Sequence, residues 1–277
     1  MWHGLCKGQS KPLAMRHFSV RSFLLMLLLF LGLSSASKNQ FPTVNNSAFE
    51  VGEKLRYRLS YGVIDAGEVT LYLDYTNRKG HGRSLFHAIG KGYTINSFDE
   101  IFKVDDTYET YLDQQSIMPW YFKRRVDEGG YKISQDYTFH HQTQTVETNK
   151  GKTFTIPMGA QDMISAFYYA RTLSLKGASK GKQFSFPVFM DDEVFTLKIK
   201  YMGDHIITTD KGKFKCHKFV PIVQTGRYFK DEEDVNFYVT ADDNKLPVLV
   251  KAKLPVGTVR MHIVGYTNLR NPLTSKR

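Results

Sequence analysis

Apolar and polar residues alternate with a period of two along most of this chain. Leu55, Tyr57, Leu59 and Tyr61 alternate with Arg56, Arg58 and Ser60, and Val69, Leu71 and Leu73 with Thr70, Tyr72 and Asp74. Successive side chains on a strand point to opposite faces, so this period marks a ribbon with one buried and one wet face. Such strands suit antiparallel pairing and argue against a parallel sheet covered on both sides. The same pattern predicts strands over 85–93, 103–112, 120–127, 131–139, 143–148, 184–189, 194–201, 214–223, 235–240, 246–254 and 259–266. Asn77–Gly82 reads as a turn by composition. Glu128, Gly129 and Gly130 read as a hairpin turn, because glycine tolerates positive φ. Pro247 and Pro255 belong at strand ends or on an edge, since proline cannot donate to the ladder.

One helix stands out, from Gln161 to Leu175. Pro157 and Gly159 stop the preceding chain, Asp162 suits the positive end of the helix dipole, and Lys176 with Gly177 supply the stop. Met163, Ile164, Phe167, Tyr168 and Ala170 make a wide apolar stripe fit to pack on a sheet. The expected fold is therefore mainly β. It is a large curved antiparallel sheet, an open barrel or two packed sheets, with one principal helix near 161–175.

The N-terminus decides the compartment. Lys7, Lys11, Arg16 and Arg21 precede an apolar run from Phe23 to Leu33, and Ser34, Ser35, Ala36 and Ser37 follow. This is the layout of an export signal cleaved near Ala36. The run is 11 residues long, short of the roughly 20 that span a bilayer as a helix. The start is Met1 or Met15, the latter giving a shorter basic region. Without residues 1–36 the chain keeps 241 residues, with 34 of its 38 basic groups against 27 acidic ones, a formal charge of +7. The basic residues are scattered, which fits a Lys-rich soluble surface better than a binding block. Cys6 leaves with the signal and lies well before the h-region, so neither a lipid anchor nor an internal disulfide is expected. Residues 37–48 read as a flexible leader and 49–268 as one β-rich domain. Its halves, 49–157 and 178–268, are joined by the helix, and 269–277 form a loose tail.

Several blocks, taken in order, resemble the domain of unknown function 3108 family of exported bacterial proteins. They are Phe49–Glu68, Asp106–Asp113, Met118–Arg125, Glu128–Tyr131, Gln161–Arg171 and Asp242–Val248 leading into Gly257. The resemblance spans roughly 49–267. It implies a location in the envelope of Gram-negative bacteria and carries no active site to transfer.

The residues give little positive reason to expect catalysis. His81, His87, His140, His141, His205, His217 and His262 show no i, i+4 zinc pair, and no metal or cofactor site is expected. His140 and His141 point to opposite faces of a strand, as do Cys216 and His217. Cys216 alternates with Phe214, Val220 and Ile222 and reads as core. Acidic groups occur at Asp105–Asp106, Asp191–Glu193, Asp231–Asp234 and Asp242–Asp243, the last three reading as solvated turns. No nucleophile elbow, phosphate loop or dinucleotide fingerprint is present.

Two arginines lie on apolar faces. Arg124 follows Phe122 on a strand, and Arg171 follows Ile164, Phe167 and Tyr168 on the helix. A buried guanidinium needs a carboxylate, and an acidic residue between Asp99 and Glu109 is the expected partner. Arg124, Arg171, Asp106, Glu109 and Tyr168 are thus the candidates for a ligand contact or a structural ion pair.

Three functions compete. The first is a non-catalytic envelope protein binding a lipid or another apolar or amphiphilic ligand. The second is an assembly scaffold acting through protein contacts. The third is an envelope polysaccharide hydrolase using Asp106 and Glu109, which stand three apart and so face opposite ways on a strand. Export makes nucleic-acid binding a poor fit. An open apolar pocket between helix and sheet would favour the first reading, and a closed pack the second.

Overall fold

Fourteen strands form one antiparallel sheet in the computed structural model, which describes residues 41–222, 234–254 and 257–277. The strands are β1 (Lys54–Tyr61), β2 (Ile64–Gly80), β3 (Arg83–Thr94), β4 (Asp105–Asp113), β5 (Pro119–Glu128), β6 (Tyr131–His140), β7 (Thr145–Thr148) and β8 (Thr153–Thr155). They continue with β9 (Gln183–Met190), β10 (Glu193–Thr209), β11 (Gly212–Pro221), β12 (Val235–Thr240), β13 (Pro247–Leu254) and β14 (Gly257–Thr267). Among the described residues two helices accompany them, α1 (Ser97–Ile101) and α2 (Met163–Thr172).

The order β8-β7-β6-β5-β4-β3-β2-β1-β14-β13-β12-β11-β10-β9 puts β1 near the middle. Each half is a simple meander, and the β1–β14 ladder welds the two. The halves share one core. Leu55 and Leu73 from one cluster with Phe214, Val248 and Ile263 from the other.

The sheet curls until its ends meet through side chains. Phe189 of β9 packs on Phe122, Tyr137, Phe139 and Val146 of β5–β7, at the opposite end of the strand order. A polar latch completes the closure at the β9–β10 turn. Asp191 accepts from Arg124 at 2.7 Å, and Asp192 accepts from Tyr137 and Lys152. Both aspartates hold positive φ, 52° and 64°, as a tight two-residue hairpin turn requires. The turn position is as expected and Asp191 stays exposed, while the half-buried Asp192 departs from a fully solvated carboxylate. They face basic and phenolic groups because the curl brings β5 and β6 to them. Asp231 lies outside the described residues.

The strand pattern follows the alternation closely, and the departures have physical causes. β2 runs through the expected turn to Gly80, with a register shift between Tyr75 and Lys79, so the reversal is confined to His81 and Gly82. β10 continues eight residues past Tyr201, beyond a bulge where Gly203 takes φ 98°. Pro187 sits within β9, an edge strand whose one strand neighbour in the sheet is β10, where a missing N–H costs nothing. Pro247 opens β13, while Pro255 lies outside the described residues.

Both ends of the described chain are held, against expectation. Phe41 is buried with Leu85, Met118 and Trp120, and the Val44 amide donates to Gln115 at 2.7 Å. Backbone bonds from Lys215 to Ser275 and from Arg277 to Lys213, each 2.8 Å, tie the tail to β11. Residues 41–48 and 269–277 thus pack on the sheet rather than hang free. The proposed export signal lies outside the described residues.

Cys216 is fully buried and unpaired, and burial pushes its thiol up to about 12. It is a small core residue, as its place among Phe214 and Val220 suggests.

Candidate functional site

Helix α2 lies inside the curl, and its position defines the site. Gln161 docks its entry on the edge strand: its N–H donates to Pro187, and its carbonyl accepts from Phe189. Asp162 is the N-cap. Its side chain accepts from the Ser165 amide at 2.7 Å, and the Ser165 hydroxyl accepts from the Asp162 amide at 2.7 Å. Thr110 of β4 donates to the same carboxyl at 3.0 Å, pinning the helix start to the first half of the sheet. Gly90 on β3 leaves room for Ile164, whose Cδ1 would sit 3.1 Å from an added Cβ.

Full burial pushes the Asp162 carboxyl up to about 7, outweighing the hydrogen bonds and helix end that favour its charge. An acid with a raised folded pKa contributes most below its unfolded value, near 4, and loses that contribution as pH rises toward 7. Asp162→Asn keeps one acceptor and removes the titration. The expected result is a flatter urea midpoint between pH 4 and pH 7 than in the parent. An identical pH slope in both proteins would contradict it.

The helix carries two apolar stripes. Ile164, Tyr168 and Arg171 face the first half of the sheet. Tyr168 packs edge-on against Phe49, with ring centroids 4.8 Å apart. Arg171 is 2 % exposed and pairs with Glu53 through two bonds of 2.6 and 2.7 Å. It also donates to the carbonyls of Ala48 and Asn244. The expected partner window of 99–109 is wrong for both arginines. Arg171 pairs with Glu53 and Arg124 with Asp191, because helix docking and sheet curling bring together residues distant in sequence.

The remaining candidates separate. Glu109 bonds His87 at 2.8 Å. Asp106 accepts from the Asp127 amide at 3.2 Å, and burial raises its carboxyl above the ordinary range. The two stand on opposite faces of β4, so they form no acid–base pair across a cleft. Tyr168 keeps its hydroxyl buried without a hydrogen-bond partner, close to the Arg171–Glu53 pair.

The second stripe, Met163, Phe167, Ala170 and Leu173, faces a cavity of about 380 Å³. The opposite wall comes from β9–β13 in register. Leu197 stands across from Phe186, Phe219 from Phe237, and Val239 from Pro247. These pairs are the inward-facing alternate residues of the strands. Ala166 of the helix, Leu175 from the chain after it and Ile199 complete the apolar lining. Of 15 lining residues, 13 are apolar and two, Arg171 and Lys245, are cationic. The volume falls near the lower end of the roughly 300–1,000 Å³ usual for small-molecule sites. Lys245 carries no signal in the sequence that would place it here, since it sits in a polar turn between β12 and β13. Among the described residues no three His, Cys, Asp or Glu side chains gather as a metal site.

One antiparallel sheet curled around a helix and an apolar cavity defines a β-barrel-like class of fold. Within it, the chain belongs to the protein of unknown function family DUF3108, whose model matches residues 56–264. A β-barrel-like protein of the domain of unknown function DUF1849 from Brucella abortus is similar in structure. It has a TM-score of 0.54 at 12% identity, over 80% of this chain and 99% of that one. That likeness shows the fold alone. Weaker likenesses link a DUF1089 family protein from Pseudomonas aeruginosa (TM-score 0.30, 6% identity, 76% of this chain and 95% of that one). Another links a candidate exported protein with a YmcC-like fold from Bacteroides fragilis (TM-score 0.32, 7% identity, 82% and 100%). No curated protein matches the chain. Among the described residues, no helix is long and apolar enough to cross a membrane.

Proposed function

We propose that this protein is a non-catalytic carrier or sensor of an apolar or amphiphilic molecule in the bacterial envelope. It is exported by residues 1–36 and acts in the periplasm or at the outer envelope. The observation that carries the reading is the cavity between α2 and β9–β13, with its 13 apolar lining residues. A core of ordinary packing closes such space, because voids forfeit dispersion contacts and destabilise in proportion to their volume. A wall of paired aromatic and aliphatic side chains beside an apolar cavity suits an apolar guest. Protein purified from the envelope fraction of its host and extracted with chloroform and methanol should yield about one lipid or fatty acid per chain. Protein that emerges free of apolar molecules, and that fails to take up N-phenyl-1-naphthylamine, contradicts the reading.

A scaffold role finds support in a different place. The β1–β2, β3–β4 and β5–β6 connections lie side by side at one end of the sheet and expose apolar tips. Val63 is 96% exposed, Ile101 77% and Tyr131 66%. Adjacent hairpins stand about 10 Å apart, so the tips can act as one surface. Cross-linking in intact cells, compared between the parent and a Val63→Ser, Ile101→Ser double variant, tests this reading. An envelope protein captured only by the parent supports it, and identical cross-links in both contradict it.

A further inference from the structure

The geometry points to Lys245 as the head-group contact for a single-chain amphiphile with an anionic head, its tail lying against the aromatic wall of the cavity. This rests on the carrier reading and names the ligand class. The two cations of the lining differ in kind. Arg171 is neutralised by a two-point pair with Glu53 and donates also to two carbonyls, so it has little left to offer a guest. Lys245 has one hydrogen bond, from Nζ to the carbonyl of Leu173 at 2.7 Å, and Leu173 also lines the cavity. An ammonium carries three donors, so two remain.

The turn that presents Lys245 is held by local hydrogen bonds. Asp242 accepts from the Thr240 hydroxyl at 2.8 Å and from the Asn244 amide at 3.1 Å, and the Lys245 amide donates to Asp242 at 3.2 Å. These bonds hold Lys245 at φ 44°, a left-handed conformation uncommon for a side chain of this size. The side chain then reaches back to the end of α2. Burial disfavours its charge, Asp243 supports it and Arg171 opposes it. No acidic residue belongs to the lining, so an anionic guest would add to the support that Asp243 gives the charge. The bond to Leu173 alone is explained by helix capping. Capping does not explain why Lys245 belongs to the lining of an apolar cavity. A volume of about 380 Å³ favours one acyl chain over a two-chain phospholipid.

The test compares cis-parinaric acid with its methyl ester by fluorescence titration of the full protein. The acid should bind about tenfold more tightly than the ester, the difference expected of one charge-assisted hydrogen bond. Lys245→Met should abolish that preference, read as the ratio of acid to ester affinity within the variant. Lys245→Arg should retain the preference, which guards against a variant that merely disturbs the helix end. Dodecanoic acid and dodecyl phosphate as competitors distinguish a carboxylate head from a phosphate head, and displacement by either supports the class. Equal affinity for acid and ester in the parent, or a preference unchanged in Lys245→Met, overturns the head-group assignment while leaving apolar carriage standing. Failure of both probes to bind overturns both.

Discussion

Glu53→Ala is expected to destabilise the protein by about 3–5 kcal/mol, because it strands a buried guanidinium. For a chain of this size that lowers the thermal midpoint by roughly 10 °C. Arg171 is 2% exposed and Glu53 fully buried, so water cannot replace the lost carboxylate. The rings of Phe49, Phe167 and Tyr168 lie 5.2–5.7 Å from the guanidinium and add attraction, but they cannot neutralise it. The double variant Glu53→Leu, Arg171→Met should recover most of the loss, since it removes both charges together. Arg124→Ala provides the contrast. Its partner Asp191 has a side chain 58% exposed, so the expected cost is about 0–1 kcal/mol. Thermal or urea unfolding of the three variants checks the set. A Glu53→Ala protein within about 1 kcal/mol of the parent would show that the pair does not anchor the helix.

Ala170→Trp should reduce uptake of the neutral probe N-phenyl-1-naphthylamine by tenfold or more, with little change in stability. Ala170 is a partly buried helical position on the cavity wall. An indole there occupies the space a guest would use. Its weaker helix propensity costs less than about 1 kcal/mol, and the apolar area it covers offsets that cost. Titration with the probe, paired with a urea midpoint, separates a filled cavity from a damaged fold. Unchanged probe affinity in a stable variant would place the probe elsewhere on the protein.

The strands were legible because alternation is a direct record of which side of a ribbon faces water. Most of β1 to β14 follows from it. The failures occur where the period slips. The bulge at Gly203 hid the second half of β10, and the polar run Asn77, Arg78 and Lys79 hid the end of β2. β8 has three residues and α1 five, too short for any period to register. The helix was legible from its cap and stop signals. Its observed extent, Met163–Thr172, is shorter than 161–175 because Asp162 is the cap and Leu173 already takes an extended conformation.

The cavity was legible only in part. The strands that bear its wall, near 194–201, 214–223 and 235–240, follow from the alternation. Alternation reports the side a residue faces but not whether anything fills the space in front of it. The ion pairs were less legible still. Arg171 and Arg124 were singled out by their apolar neighbours, yet Glu53 and Asp191 lie 118 and 67 residues away from them. Such partners are set by how the sheet curls and where the helix docks, and no local pattern encodes them. Lys245 escaped for the same reason.

The most direct measurement is a crystal structure of the protein grown with dodecan-1-ol, a neutral single-chain molecule. Density for the chain should lie between Phe167 and Ala170 on one side and Phe186, Leu197, Phe219 and Phe237 on the other. Rings turned inward to close that space, or an alcohol bound only at the exposed hairpin tips, would contradict a binding cavity beneath α2.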